Sequence, residues 1–91
     1  AAEALRIGLV SRVVPHEKLM DEARALAARL AKGPPLAIQL TKRSMYRAQT
    51  MTLVEALEFE TYAQQMCTAS EDFEEGRRAF VEKREPVFKG R

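Results

Sequence analysis

The chain has 91 residues, 46% of them hydrophobic, with a formal charge of +2 and one cysteine. That suits one small domain hiding at most about two-thirds of its unfolded surface, and a lone Cys67 excludes an internal disulfide or a multi-thiolate metal site. No stretch approaches the roughly 18 apolar residues of a membrane span, and the N-terminus lacks the basic-then-apolar layout of a signal peptide, so a soluble, cytoplasmic protein is expected.

Residues 1–50 carry nine Lys/Arg and four Asp/Glu, whereas residues 51–91 carry six and nine, so the halves are +5 and −3. Such an asymmetry can help two surfaces meet, but it is not the concentrated basic stripe of a nucleic-acid binder. The chain opens AAEALRIGLVSRVVP without Met, already inside an amphipathic pattern in which Ala1, Ala4 and Leu5 share a helical face, and it reads as a piece of something longer. Gly8 can end that helix. Val10 to Val14 alternates weakly like one short strand before Pro15, and a single strand would need a partner from elsewhere.

Over residues 16–32 the spacing of Leu19, Ala23, Leu26, Ala27 and Leu30 predicts a helix. Gly33-Pro34-Pro35 should close it, through a left-handed glycine cap, and start the next over residues 35–48. Ala37, Leu40, Thr41, Ser44, Met45 and Ala48 form its expected inner stripe, with Lys42, Arg43 and Arg47 outside. Thr52 and Glu55 have the spacing of a capping box opening a helix over 52–69, whose inner side is Leu53, Ala56, Phe59, Ala63 and Met66. Ser70 is a good N-cap for a last helix over 71–84, with Glu71, Asp72, Glu74 and Glu75 near its positive end, Arg77, Arg78, Lys83 and Arg84 toward its negative end, and Pro86 as a stop.

Catalytic constellations are scarce. His16, the only histidine, sits beside Pro15 at a helix start and reads as an exposed residue. Ser11, His16 and Asp21 spell a triad only by chance, and Glu55, Glu58 and Glu60 read as cap and solvated face rather than an acid/base pair. There is no phosphate-binding glycine loop and no metal-ligand spacing. Cys67, beside Ala63 and Met66, reads as a buried, inert thiol. Gly76 costs about 1 kcal/mol of helix stability relative to Ala, which points to a close approach of something to the backbone there. Phe80 and Lys83 follow at four and three further residues along that side.

The order EALRIGLVSRVVP, then LAKGPPLAI followed by Lys42, then SEDFEEGRRAFVEKREPVF resembles the C-terminal part of the enoyl-CoA hydratase/isomerase (crotonase) family over essentially all 91 residues. GLVSRVVP and EDFEEGRRAFVEKR are its most specific pieces. The resemblance implies a mainly α fold: a single helical C-terminal region over residues 1–91, with at most one short strand near the N-terminus. In that family such helices cover an N-terminal spiral of ββα units and build trimers that pair as hexamers.

The resemblance further implies an enzyme acting on acyl-CoA, with no cofactor beyond the coenzyme A of its substrate. Its partners would be further copies of itself as trimer or hexamer, not nucleic acid and not a membrane. The closing FVEKR is most like hydratases, which add water across a 2-enoyl-CoA, although isomerases, decarboxylases and dehalogenases share the scaffold. The family's catalytic carboxylates and oxyanion-hole N–H groups lie upstream of this sequence, so no catalytic residue is assigned within it and it should be inactive alone. The resemblance does imply a nucleotide contact: Phe80 and Lys83 match an aromatic and a lysine that meet the adenine and 3′-phosphate of coenzyme A. Competing readings are a non-catalytic helical oligomerisation module and a nucleic-acid binder using Lys42, Arg43 and Arg47.

Overall fold

A computed structural model describes all of residues 1–91. Its helices are α1 (Ala2–Arg6), α2 (Leu19–Ala31), α3 (Pro35–Ala48), α4 (Leu53–Thr68) and α5 (Glu71–Glu82), with a 3₁₀ turn at His16–Lys18 leading into α2. There is no strand. The alternation at residues 10–14 yields irregular backbone, because nothing in the chain lies alongside to pair with its N–H and C=O groups.

Local signals place the helix ends. Gly8 ends α1 at φ +74°, and its N–H and that of Leu9 donate back to Leu5 and Ala4 carbonyls at 3.2 and 2.9 Å, the paired bonds of a left-handed helix stop. Gly33 works differently from expectation: it has no positive φ. A Cβ there would stand 2.7 Å from Ile38 Cδ1 and 3.3 Å from the Leu30 carbonyl oxygen, so a side chain at this turn would have to displace the end of Ile38. Thr52 and Glu55 close the capping box, with the Thr52 N–H donating to Glu55 at 2.7 Å and the Glu55 N–H to the Thr52 hydroxyl at 3.3 Å. The Thr52 N–H, and after it the Thr52 hydroxyl donating to the same carboxylate at 2.8 Å, hold the Glu55 carboxyl below its ordinary value. Ser70 caps α5 by accepting from the Phe73 N–H at 3.1 Å.

The short connection between α3 and α4 folds them into a hairpin. Leu40 is its buried centre, flanked by half-buried Ala37 and Ser44 on α3 and by Ala56, Phe59, Ala63 and Cys67 on α4. Thr41, Met45, Ala48, Leu53 and Met66, all expected inside, are exposed, as is most of the α2 stripe, Leu19, Leu26 and Leu30. Arg47 and Arg43 lie over the Phe59 ring at 5.1 and 6.0 Å from its centroid, and the Lys42 ammonium lies 6.0 Å from that of Tyr46, so all three cations of the basic cluster cover an aromatic of their own chain.

These helices make a plate measuring 42 × 39 × 18 Å, with a radius of gyration of 16.9 Å, against about 12 Å for a compact chain of this length. Its accessible surface is 7831 Å², where a compact monomer of this mass would show about 5,400 Å². The excess exceeds what one partner loses in an ordinary protein–protein interface, about 800 Å². Part of that surface is apolar: Leu9, Leu30, Met45, Leu53 and Val81 all stand exposed. No helix is long and apolar enough to cross a membrane.

Residues 1–91 on their own should accordingly self-associate at micromolar concentration, because so many large apolar side chains left exposed favour association. Light scattering tests this: a mass above the monomer is the expected outcome. A stable monomer would mean that the helices close onto one another in solution.

Candidate functional site

The helix α5 is two-faced. Ala79 and Asp72 are buried and Glu75 and Gly76 half-buried on one side, while Phe80 and Val81 stand in solvent. The buried side receives the chain's closing segment, residues 84–91, which folds back along the helix. Asp72, only 4% exposed, accepts the Lys89 and Gly90 N–H groups on its two carboxylate oxygens at 2.6 and 2.8 Å, and its own N–H donates to the Arg91 oxygen at 3.1 Å. Gly90, at φ +78°, brings this backbone against Pro35 at the start of α3.

One turn along, Glu75 accepts the Val87 N–H at 3.0 Å and a two-toothed fork from Arg84, Nη1 at 2.6 Å and Nη2 at 3.0 Å. The Arg84 Nε donates to Glu82 at 2.6 Å. The Arg84 hydrogen bonds, and after them the Val87 N–H, lower the Glu75 carboxyl from 4.5 to about 2. Glu75 and then Glu82 raise the Arg84 guanidinium still further above its ordinary value.

This clamp grips the chain beside a conformational outlier. Lys83 is the only non-glycine residue with positive φ, at φ 53° and ψ 41°. It ends α5 as Gly8 ends α1: the Lys83 N–H donates to Phe80 at 3.4 Å and the Arg84 N–H to Ala79 at 3.0 Å. Glycine is the usual occupant of that position, and a side chain there costs on the order of 1–3 kcal/mol. The helix therefore stops at Glu82, before the expected residue 84, and a left-handed lysine stops it ahead of Pro86. Lys83 is exposed and makes no hydrogen bond or ion pair through its side chain. Phe80, at 84% exposure, fills no seam within this chain. An aromatic face and a free ammonium thus stand in solvent within one turn of each other.

Gly76 leaves this exposed pair. What approaches it is the Phe88 ring of the closing segment, and a Cβ would meet that ring at an ordinary 3.6 Å. Alanine would fit, so no close approach demands the glycine. Phe88, Phe73, Leu36, Ala37 and Cys67 line an apolar cavity of about 380 Å³ that reaches neither Phe80 nor Lys83. It is the unfilled seam between α3, the end of α4, α5 and the closing segment. Cys67 is half-buried there. No group of three His, Cys, Asp or Glu side chains lies close enough to hold a metal ion.

Sequence reasoning missed the clamp. It assigned Asp72 and Glu75 to the helix dipole, a role that needs no partner. The available signal was their i, i+3 spacing on the side of Gly76 and Ala79, followed beyond Pro86 by the apolar pair Val87-Phe88, which needs a surface to lie on.

The family model described as enoyl-CoA hydratase/isomerase matches residues 1–91. A probable enoyl-CoA hydratase of Rhizobium meliloti is 44% identical over 91 residues, which are all of this chain and 35% of that protein. A carnitinyl-CoA dehydratase of Citrobacter koseri is 46% identical over 100 residues, covering all of this chain and 36% of its own. The crystal structure of an enoyl-CoA hydratase from Bacillus anthracis superposes with a TM-score of 0.95 at 35% identity, over all of this chain and 35% of the other. The chain thus spans about a third of the length of the curated relatives it matches.

The Glu75 clamp can be titrated. A carboxyl lowered from 4.5 to about 2 in the folded chain stabilises the closing segment fully above pH 4.5, and that contribution is lost as the pH falls from 4.5 toward 2. The Glu75 carboxyl carbon, followed by NMR, should show its midpoint near 2, and Arg84→Ala should return it most of the way to 4.5. A wild-type midpoint at 4.5 would mean that the fork does not form in solution.

Proposed function

Since the chain belongs to the enoyl-CoA hydratase/isomerase family, we propose that it is part of an enzyme that hydrates a 2-enoyl-CoA. Hydration places a hydroxyl on the β carbon and a proton on the α carbon, so nothing is oxidised and the coenzyme A of the substrate is the only nucleotide required. The enolate formed on the way carries its charge on the thioester oxygen, which an oxyanion hole stabilises while carboxylates move the protons and water. Those groups belong to residues outside 1–91. The helical plate supplies the cover, self-association as a trimer or hexamer, and part of the site for the nucleotide end of the substrate. The surface left open by the plate supports the first two roles.

For the nucleotide end, the Phe80 ring offers a face to adenine and the Lys83 ammonium a point charge to the 3′-phosphate. The observation that carries this reading is the Lys83 backbone. Lys83 stops α5 in a conformation that glycine adopts at little cost, yet it carries a side chain whose charge is unpaired, with an exposed aromatic one turn away, and strain of this kind concentrates where ligands are gripped.

The 46% identity to a carnitinyl-CoA dehydratase favours a second reading, removal of water from a 3-hydroxyacyl-CoA. Dehydration is hydration run backward, so that reading changes the substrate and direction and leaves the role of this segment intact.

In the complete enzyme Lys83→Ala should lower kcat/KM for a CoA thioester about ten- to a hundredfold, the worth of one charge-assisted contact of roughly 1.5–3 kcal/mol, less where solvent screens it. The control is the pantetheine thioester of the same acyl group, which has neither adenine nor 3′-phosphate and should be almost unaffected. Because remote binding also supports the chemical step, the comparison rests on kcat/KM. Equal losses on both substrates would indicate a folding or assembly defect and remove the phosphate contact from the account.

A further inference from the structure

Two cations stand side by side at the end of α5 and are used in opposite ways. Arg84 is spent: Nε goes to Glu82, Nη2 to Glu75, and Nη1 to Glu75 and the Glu85 carbonyl at 3.2 Å. Lys83 is free. The residue that carries the free charge is also the one in left-handed geometry, and the residue after it is fixed by the fork. Glu75 then takes the Val87 N–H at 3.0 Å, so one carboxylate holds the chain one and four residues beyond Lys83. An unfavourable backbone conformation persists only where its surroundings over-determine it, and this carboxylate adds to the two cap bonds, Lys83 N–H to Phe80 and Arg84 N–H to Ala79, a hold on the residues that follow.

We propose that Glu75, acting through Arg84 and the Val87 N–H, is a positioning residue that holds Lys83 in its left-handed conformation and so presents the ammonium to the 3′-phosphate of coenzyme A. The inference rests on the reading that Lys83 meets that phosphate. Glu75 itself touches no ligand. Without it the cap can relax, the presenting conformation becomes a fraction of the population, and the apparent affinity for the phosphate falls by that fraction.

The sign of the effect separates this from simple electrostatics. Glu75 is an anion close to a site for another anion, so by Coulomb repulsion alone its neutralisation should strengthen phosphate binding. Positioning requires the opposite. Glu75→Gln keeps the size of the side chain and an oxygen for the Val87 N–H, and removes the charge that holds the fork.

The measurement is calorimetric binding of coenzyme A and of dephospho-coenzyme A, which lacks only the 3′-phosphate, to the complete protein. The readout is the ratio of the two dissociation constants. The wild-type ratio should be about ten to a hundred, in line with one charge-assisted contact, and Lys83→Ala should bring it close to one. Glu75→Gln should lower the ratio about three- to tenfold with Lys83 still present, while affinity for dephospho-coenzyme A, which reports the fold of the rest of the site, stays near wild type. Arg84→Lys keeps the charge and loses the fork, so it should lower the ratio similarly, and it carries the test should Glu75→Gln fold poorly. A ratio that is unchanged or raised in these variants, while Lys83→Ala abolishes it, overturns the positioning role. A Lys83→Ala protein that keeps the full ratio overturns the reading beneath it.

Discussion

Two carboxylates on one face of α5, Asp72 and Glu75, take up the backbone N–H groups of the residues that follow the helix. At buried Asp72 each hydrogen bond to the charged acceptor contributes about 1.5–3 kcal/mol. Asp72 is nearly inaccessible, so its charge is tolerable only because two N–H groups meet it. These bonds turn the chain back on itself, lay Phe88 against Gly76 and bring Gly90 to Pro35 at the head of α3. The same reversal places a restrained Arg84 immediately after Lys83. A structural device for anchoring a chain end thereby sets the conformation of the residue that the proposed function needs.

The rest of the plate has little else to hold it. Its helices exist because their ends are signalled locally, by the Thr52–Glu55 box, by Ser70 and by the glycine stop after α1. Tertiary burial is confined to Leu40, Ala79 and Asp72. Helices stabilised mainly by their caps and by one hairpin contact are marginal in water, which supports the proposed role of a segment that covers, and is covered by, other protein. The enoyl-CoA hydratase from Bacillus anthracis, whose chain is about three times as long, carries the same arrangement in a third of its length.

Features written in a few adjacent residues were legible in the sequence, and features that depend on what lies opposite were not. The capping box and the boundaries near residues 35, 48 and 71 follow from backbone chemistry within one turn. The inner stripes were read too widely: Met45 and Leu53 keep helical period with their buried neighbours but face outward, because periodicity marks an apolar face without saying how much of it this chain covers. The strand at residues 10–14 failed for the same reason. At the end of α5, Pro86 looked like the stop, whereas the chain halts three residues earlier on a left-handed lysine that sequence propensity would never assign. Phe80 and Lys83 stood out only through resemblance to a family. Their exposure, and the clamp behind Lys83, needed coordinates.

The central claim is that Asp72 and Glu75 hold the closing segment and with it the geometry of Lys83. Amide hydrogen exchange of the complete protein, compared with Asp72→Ala, tests it most directly. Val87, Lys89 and Gly90 lie outside any helix, so their protection in the wild type would come from these two carboxylates. The account predicts slow exchange at all three in the wild type. In Asp72→Ala it predicts fast exchange at Lys89 and Gly90 and partial loss at Val87, with α5 amides such as Ala79 still protected. Fast exchange at Lys89 and Gly90 in the wild type would contradict it.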